Sequence, residues 1–194
     1  MPAEPKRCWT SSDPVYLAYH DEEWGRPVLD ERALLERFCL EGFQSGLSWL
    51  TILRKRENFR AAFAGFDPER VARFGKRDVE RLLGDAGIVR HRGKIEAAIA
   101  NAQGTLALRA AGTPLADLVW AHRPKKRSAP RSLGNLPATT PESNALSKEL
   151  KRAGFRFVGP TTVYAACLHG GVVNDHIASC FVRAEVQREI DAAF

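Results

Sequence analysis

Helical periodicity dominates the sequence, and no stretch alternates convincingly between apolar and polar residues as a β-strand would. The clearest helix begins at Asp30, where an N-cap residue precedes Leu34 and Phe38 on one apolar face. Ser48 and Asp67 are candidate caps for two further helices, and a proline follows Asp67 at the favoured first position. The sequence therefore predicts an all-α protein.

A loop and two more helices are predicted toward the carboxyl end. Residues 122–141 are rich in proline, serine and basic residues, which is typical of a long surface loop. Thr140 then caps a polar amphipathic helix, and a more apolar helix begins at Pro160. With 194 residues, the chain is long enough for one domain, or two small ones, with a sizeable core.

The chain is basic, since 29 lysines and arginines against 23 acidic residues give a net charge of +6. This charge favours a polyanionic partner such as nucleic acid, although a surface selected only for solubility has the same charge. The segment MPAEPKR lacks the apolar core of a signal peptide, and Pro160, His169 and a glycine pair interrupt the least polar region, 157–173. We therefore expect a cytoplasmic protein that does not associate with a membrane.

The four cysteines are too few and too scattered for a disulfide framework, which favours reduced thiols or metal ligands. His176 and Cys180 stand four positions apart, a spacing that would place them on one face of a helix. Cys8 and His20 form a second pair, and together the four residues make a Cys2His2 set for tetrahedral zinc. Four protein ligands leave no position for water, so such an ion is structural. The alternative is a stray thiol with packed or exposed histidines.

A carboxylate lies within an apolar helical segment. Glu41 is flanked by Leu40 and Phe43 and is followed by Trp49, and burying it is costly unless a donor or a cation meets it. A cationic ligand with hydrogen-bond donors would suit this position. The alternative is that Glu41 is half-exposed at the end of its helix.

Aromatic residues are concentrated near the amino end, at Trp9, Tyr16, Tyr19 and Trp24. Together with Trp49 they would form a box whose faces stack on a flat ring while a nearby acid recognises its polar edge. Aromatic residues at helical spacing more often form core. Both interpretations stay open on pattern alone.

Several long segments closely resemble one bacterial family, the DNA-3-methyladenine glycosylase I family of base-excision repair. In chain order they are DPVYLAYHDEEWG, CLEGFQSGLSWLTILRKRENFRAAF, DAGIVRHRGKI, ALSKELKRAGFRFVGPTTVYA and VNDH. The resemblance runs from Cys8 to about Phe181 with order and spacing preserved, which is far more specific than a single short motif.

The resemblance implies the helix-hairpin-helix DNA glycosylase fold, an all-helical body that binds duplex DNA and turns one nucleotide out into a pocket. The helix-hairpin-helix unit is expected at about residues 142–169, within a glycosylase body of residues 30–170. Residues 1–29 and 171–194 are expected to form a zinc-binding segment packed on that body. In this family the zinc ligands correspond to the Cys2His2 set already described, so the resemblance implies one structural Zn2+ that joins the two ends of the chain.

Five residues are implied to contact DNA. Gly46 and Leu47 would lie beside the gap left by the extruded nucleotide, where a leucine can hold the base stack open as a wedge. The alternative for Leu47 is ordinary core packing. Lys151, Arg156 and the hairpin backbone at Gly159 would hold a phosphate near the amino end of the second helix.

Three positions depart from patterns that are common in the wider superfamily, and a fourth could replace a missing acid. Phe157 stands where the first hairpin glycine is expected, which leaves the phosphate contacts open. Thr161 stands where members that cleave the DNA strand carry a Schiff-base lysine, which predicts base removal without lyase activity. Asn174 occupies the register of the usual catalytic aspartate, so that carboxylate is missing unless the neighbouring Asp175 replaces it.

The resemblance implies a monofunctional glycosylase that hydrolyses the N-glycosidic bond of 3-methyladenine in alkylated duplex DNA. Methylation at N3 makes adenine a cation and a good leaving group, so selective binding can replace much of the missing acid chemistry. Glu41 is the expected catalytic residue and would recognise the polar edge of the base. Tyr19 would add a hydrogen bond, and Trp49 would stack on the ring.

The expected partners are double-stranded alkylated DNA and free 3-methyladenine as product, handled by a monomer in the bacterial cytoplasm at the nucleoid. One rival hypothesis is a zinc-stabilised DNA-binding protein without catalysis, which would bind duplex without regard to methylation damage. A second rival is a zinc hydrolase in which His20 or His176 serves an activated water, and it requires an open coordination position.

Overall fold

The computed structural model describes residues 5–125 and 127–193, and within these ranges it contains helices and turns but no strand. Residues 1–4 and 194 of the predicted zinc-binding segment, and Lys126 of the predicted basic loop, lie outside the described residues. The helices are α1 (Pro14–Glu22), α2 (Glu31–Gln44), α3 (Trp49–Ala62), α4 (Pro68–Val71), α5 (Lys76–Gly84), α6 (Arg92–Ala110), α7 (Leu115–Ala121), α8 (Pro141–Arg152), α9 (Pro160–His169) and α10 (Arg183–Ala192). The all-α prediction is confirmed.

The predicted caps begin the helices for the expected physical reason. The side chains of Asp30, Ser48, Asp67 and Thr140 each accept a backbone N–H of the first turn, at 2.8, 3.2, 2.9 and 3.1 Å respectively. Each bond satisfies one of the amide donors that a helix leaves unpaired at its start, an effect of about 1 kcal/mol per cap. The sequence did not predict α1 or α7 as separate helices.

One local expectation was wrong. His176 and Cys180 do not lie on a helix, because residues 170–182 form turns and irregular backbone between α9 and α10. A tight turn brings the two side chains together instead, in which the Cys180 N–H donates to the Ile177 carbonyl at 2.9 Å. Four-residue spacing suits a turn as well as a helix, so the pairing holds although the element differs.

Helix α2 is the centre of the fold, since it contacts α3, α6, α7 and α9. Leu35, Phe38 and Leu40 on this helix are at most 1% exposed although they point in different directions. Burial of each such side chain contributes about 1.5 to 3 kcal/mol. Because α2 is enclosed on nearly every side, Glu41 on the same helix is only 2% exposed.

The hairpin between α8 and α9 is held tightly. The Arg156 N–H donates to Asn101 at 2.7 Å, and the Ser147 hydroxyl donates to the Val158 carbonyl at 2.6 Å. Phe157, at the position where a glycine is usual, adopts φ +54°. This left-handed conformation costs a non-glycine residue roughly 1 to 3 kcal/mol. Gly42 of α2 allows the close packing that holds it, since a Cβ there would lie 3.3 Å from the Phe157 Cβ.

A small second core attaches the carboxyl end to the amino end. Ile177, Cys180, Val182, Val186 and Ile190 form a buried apolar cluster of their own. Cys8 and Leu133 pack against this cluster. In the described parts of the chain, no helix has the length and apolarity that crossing a membrane requires.

Candidate active site and metal centre

Cys8, His20, His176 and Cys180 converge on one point, and we call them the Cys2His2 cluster. Their four potential ligand atoms all lie within 4.8 Å of one another. The Cys8 sulfur is 3.3 Å from His176 Nδ1, and the Cys180 sulfur is 3.4 Å from His176 Nδ1 and 3.5 Å from His20 Nε2. The two pairs that stand far apart in the sequence therefore form one site.

These distances fit a tetrahedral zinc ion. With Zn–S of about 2.3 Å and Zn–N of about 2.0 to 2.1 Å, sulfur and nitrogen ligands of a tetrahedron lie about 3.5 Å apart. The donor set is also one that zinc prefers, and it fills all four positions. A hydrolytic zinc site keeps one position open for water, which this arrangement does not offer.

Neighbouring groups fix both imidazole rings in the orientation that a metal needs. His20 presents Nε2 to the cluster while its Nδ1 lies 2.8 Å from an Asp21 carboxylate oxygen, which in turn accepts from Arg7. His176 presents Nδ1 while its Nε2 lies 2.9 Å from the Trp24 carbonyl. Partners of this kind set the tautomer of a metal-binding histidine and raise its basicity.

One thiol of the cluster, that of Cys180, differs from the two cysteines of the core. The hydrogen bond from Cys8, followed by those from His176 and His20, lowers the pKa of Cys180 and favours its thiolate. Burial instead raises the pKa of Cys39 and Cys167 to about 12, which keeps both as neutral thiols within the core. Among the described residues, the Cys180 thiol is therefore the one whose thiolate, the form that binds a metal, is favoured.

A second polar group is buried nearby, formed by Tyr19, Glu41, Trp49 and His169, and we call it the aromatic pocket. Four helices supply one residue each: α1, α2, the start of α3 and the end of α9. Tyr19, Glu41 and Trp49 are at most 8% exposed, and the His169 side chain is 14% exposed. The alternative of a half-exposed Glu41 is therefore wrong.

The rings of the pocket surround the carboxylate. The Trp49 ring lies 4.4 Å from the His169 ring and 5.5 Å from the Tyr19 ring, centroid to centroid, and both pairs are tilted. Tyr19 meets His169 edge to face at 5.8 Å. His169 Nδ1 also lies within ion-pair distance of Glu41 Oε1. Faces for stacking and an acid for a polar edge are thus combined in one place.

Five buried side-chain atoms have no protein hydrogen-bond partner among the described residues. They are Trp9 Nε1, Tyr19 Oη, Glu41 Oε1, Trp49 Nε1 and His169 Nδ1. Buried polar atoms in native proteins nearly always have partners, and each one left without costs about 1 to 3 kcal/mol. All five belong to the aromatic pocket or to Trp9 beside it, which marks this place as the site for a ligand.

The other predicted aromatic residues lie at one side of this pocket. Tyr16 stacks on Trp9 at 4.9 Å and stands 6.5 Å from Tyr19. The Trp24 ring packs against His176 at 4.4 Å and against Trp9 at 5.1 Å, so the ring faces the Cys2His2 cluster, while the Trp24 N–H donates to the Tyr19 carbonyl at 2.9 Å. Trp9 and Trp24 therefore form the wall between the two polar groups.

Burial raises the pKa of the Tyr19 hydroxyl, and the nearby Glu41 carboxylate acts in the same direction. The hydroxyl consequently stays neutral at physiological pH and keeps its proton for donation. A neutral donor and a carboxylate acceptor are complementary to a base that presents both an acceptor and a donor.

The turn after α2 carries two of the predicted DNA-contacting residues. Gly46 has φ +84°, a conformation that glycine adopts without strain, and Leu47 is 41% exposed. The Leu47 N–H donates to the Gln44 carbonyl at 2.6 Å, and the Gln44 amide donates to the Leu47 carbonyl at 2.9 Å. Leu47 is thus held rigidly on the surface, and the alternative of plain core packing is wrong.

The predicted phosphate contacts lie at the hairpin and are accessible. Lys151 and Arg156 are exposed, and half-buried Gly159 is the residue before the first turn of α9. Positive charge and the amino end of α9 together favour an anion at this surface.

Neither candidate for the missing aspartate is free for chemistry. Asn174 is buried and donates to the Arg183 carbonyl at 3.1 Å and to Gln187 at 3.2 Å, which secures α10. Asp175 is buried, accepts from Arg127 at 2.6 Å and accepts a short hydrogen bond from the Tyr164 hydroxyl. Both residues are engaged in structural contacts.

Two residues at the site were not predicted from the sequence. In the sequence, His169 stands out only as a break in an apolar run, although a histidine in the last turn of an apolar helix can indicate a site residue. Lys94 on α6 is buried, and its ammonium donates to the carbonyls of Phe43 and Ser45 at 2.9 and 2.6 Å. It thereby closes the end of α2 just before the Gly46 turn, a long-range contact that no local pattern indicates.

Comparison with known proteins agrees with this architecture. The model of the methyladenine glycosylase family matches residues 9–183. DNA-3-methyladenine glycosylase 1 of Escherichia coli (strain K12) is 51% identical over 179 residues, covering 90% of this chain and 95% of the relative.

Two solved structures are closely similar. A crystal structure of 3-methyladenine DNA glycosylase I superposes with a TM-score of 0.87 at 52% identity, covering 91% of this chain and 98% of the other. A Tyr-to-Phe variant of such an enzyme in complex with 3-methyladenine superposes with a TM-score of 0.85 at 36% identity, covering 89% of this chain and 94% of the other. The chain belongs to the methyladenine glycosylase family.

Proposed function

We propose that this chain is a monofunctional DNA glycosylase that hydrolyses the N-glycosidic bond of 3-methyladenine in alkylated duplex DNA. The observation that carries the proposal is the buried Glu41 carboxylate, which is enclosed by rings and has an oxygen without a hydrogen-bond partner among residues 5–125 and 127–193. Such a site favours a flat, cationic ring with amino hydrogens over neutral adenine. Family membership supports the same substrate.

The chemistry requires little from the protein because the substrate is already activated. Methylation at N3 puts a positive charge on the base, and cleavage of the bond between N9 and C1′ returns that electron pair to the ring. Water forms the new bond to C1′ and loses a proton, which leaves an abasic site. Glu41 would accept from the amino group, Tyr19 would donate a hydrogen bond, and Trp49 would stack on the ring.

Absence of lyase activity is part of the proposal. The position after the hairpin at which strand-cleaving relatives in the superfamily carry an amine is the exposed Thr161, whose hydroxyl cannot form a Schiff base. We expect base release without cleavage of the DNA strand.

The ion of the Cys2His2 cluster is proposed to be one structural Zn2+ per chain. When bound, it supplies a fixed charge and a cross-link but no reaction step. Residues 1–29 and 171–194 would form the zinc-binding segment on the glycosylase body of residues 30–170, a division that the second apolar core supports. The ion would thereby hold α1, and with it Tyr19, against that body.

The DNA would lie across the surface that carries Leu47 and the hairpin. Leu47 would enter the gap left by the extruded nucleotide, and Lys151, Arg156 and the Gly159 amide region would hold the backbone. We propose that the protein works as a monomer in the bacterial cytoplasm, where such DNA is found, and releases free 3-methyladenine.

The test is to incubate purified protein with methylated duplex DNA and to identify the bases released by chromatography. We expect 3-methyladenine to appear in proportion to enzyme, without strand scission. Release no faster than in buffer would reject the proposal. Duplex binding that ignores methylation, combined with no release, would support the non-catalytic DNA-binding alternative.

A further inference from the structure

We propose that His169 is a specificity-determining residue that recognises the ring nitrogen next to the amino group of the extruded base, side by side with Glu41. This inference rests on the proposed function and deepens it. It concerns the one member of the aromatic pocket that no sequence pattern assigned.

His169 is placed where it can contact a base. It is the last residue of α9, and its ring lies 4.4 Å from Trp49 and 5.8 Å from Tyr19. These contacts keep the side chain 14% exposed and fix the plane of the imidazole. A ring held in this way can present one nitrogen at a defined position, as recognition requires.

The two polar atoms at the centre of the pocket are close but do not satisfy each other. His169 Nδ1 is within ion-pair distance of Glu41 Oε1, yet both atoms lack a partner with hydrogen-bond direction. Each therefore retains its capacity for a third group. The two atoms together form a donor and an acceptor side by side in a buried place.

The acceptor is the carboxylate oxygen, and the donor is the imidazole. An adjacent carboxylate electrostatically favours the tautomer with the proton on Nδ1. Adenine presents the complementary pair at its edge, since the N6 amino group donates and the neighbouring ring nitrogen, N7 or N1, accepts. Guanine carries O6, an acceptor, where adenine has its amino group, which would face Glu41 unfavourably. His169 would thus add a second contact that separates adenine-type from guanine-type bases.

The experiment measures binding of free bases to the full-length, metal-loaded protein by quenching of tryptophan fluorescence. The probes are 3-methyladenine and its 1-deaza and 7-deaza analogues, each of which lacks one ring nitrogen beside the amino group. We expect the wild type to bind one analogue at least about tenfold more weakly than 3-methyladenine, because a buried donor loses its acceptor. His169→Phe should bind that analogue and 3-methyladenine within about twofold of each other.

His169→Asn is the matched variant, because its amide can place an N–H near the position of Nδ1. It should restore discrimination that His169→Phe loses, an outcome that a purely structural role would not produce. Metal content and thermal unfolding of both variants check that the fold is intact. If His169→Phe does not fold, the analogue series on Tyr19→Phe decides: discrimination that survives loss of the Tyr19 hydroxyl supports His169 as the donor, and discrimination that disappears with it overturns the inference.

Two further results would overturn the inference. One is a wild type that binds 3-methyladenine and both analogues equally. The other is a folded His169→Phe protein that still discriminates. Failure of the proposed function looks different, since then the wild type itself releases no 3-methyladenine from methylated DNA.

Discussion

The Cys2His2 cluster and the aromatic pocket are both buried and polar, and they share Trp9 as a neighbour. They differ in whether their polar atoms have partners. In the cluster, each imidazole nitrogen faces a sulfur, a carboxylate or a carbonyl. In the aromatic pocket, four side-chain atoms, together with Trp9 Nε1, have no hydrogen-bond partner within the part of the chain that the structure describes. One group is complete apart from an ion, and the other is prepared for a ligand that must supply the missing partners.

This difference indicates which of the two groups stabilises the fold and which one decreases stability for the sake of function. Buried polar atoms without partners lower stability, and natural proteins tolerate them mainly at functional sites. Substitutions in the cluster and in the pocket should therefore change the free energy of unfolding with opposite signs.

The largest effect is expected when the cluster is broken. Cys180→Ser, or chelation of the metal, should lower the free energy of unfolding by at least about 4 kcal/mol, because structural zinc supplies about 10 to 16 kcal/mol in small zinc peptides at neutral pH. Metal analysis and urea unfolding measure the change. Cys167→Ser, a buried thiol outside the cluster, is the control and should keep its zinc. Full stability of zinc-free protein would contradict a structural ion.

Glu41→Gln should change the free energy of unfolding in the opposite direction. We expect release of 3-methyladenine to fall about a hundredfold, because the pocket loses its charge, while the free energy of unfolding rises by about 1 kcal/mol as a buried charge disappears. Rates on methylated DNA and urea unfolding give the two quantities. Glu57→Gln, on the exposed face of α3, should change neither. A variant that is both active and unchanged in stability would remove Glu41 from the site.

Lys94 tests what decides whether a substitution raises or lowers the free energy of unfolding. The two possibilities are the hydrogen bonds of the replaced side chain and its position near the pocket. Its ammonium is buried and donates to two carbonyls. Lys94→Met should therefore lower the free energy of unfolding by about 1 to 2 kcal/mol, against less than about 0.5 for exposed Lys76→Met. Urea unfolding measures both variants, and a stabilised Lys94→Met protein would contradict the rule.

Tyr19→Phe should have the smallest effect, a rise in the free energy of unfolding of less than about 1 kcal/mol, since the hydroxyl has no partner to lose among the described residues. Tyr164→Phe is the contrast, because that hydroxyl donates to Asp175, and its loss should cost about 1 to 3 kcal/mol. Stability measured at pH 7 by urea unfolding should separate the two variants. Equal destabilisation would show that Tyr19 has a partner after all.

Tyr19→Phe should also differ from the wild type in how its stability depends on pH above 10. Burial raises the pKa of Tyr19 above the ordinary 10.0, so the folded state keeps a proton that the unfolded state loses. Stability is therefore unaffected below pH 10 and falls as the pH rises above it. Unfolding curves at pH 9 and pH 11 should show a smaller fall for Tyr19→Phe than for the wild type.

Much of this molecule could be predicted from its sequence because the signals are local. Asp30, Ser48 and Thr140 mark helix starts through a side chain and a backbone amide a few positions away. The long segments that resemble one family carried the rest of the fold. The metal ligands followed from residue type, because a Cys2His2 set is itself the chemical requirement of zinc.

The errors and omissions concern contacts between distant segments. The loop that carries His176 and Cys180 is set by the second core and the metal ligands, which override what four-residue spacing suggests. His169 faces Glu41, and Lys94 reaches the end of α2, only because α9 and α6 pack against that helix. Such relations depend on tertiary packing, which single-sequence periodicity does not contain.

Helix α1 places Tyr19 and His20 in consecutive positions, the first in the aromatic pocket and the second in the Cys2His2 cluster. Each residue added to a helix turns everything beyond it by about 100°. One insertion or deletion inside α1 before Tyr19 would therefore misalign both groups together. The length of this short helix should be among the least variable features of the chain, whereas the exposed surface of the same helix remains open to substitution.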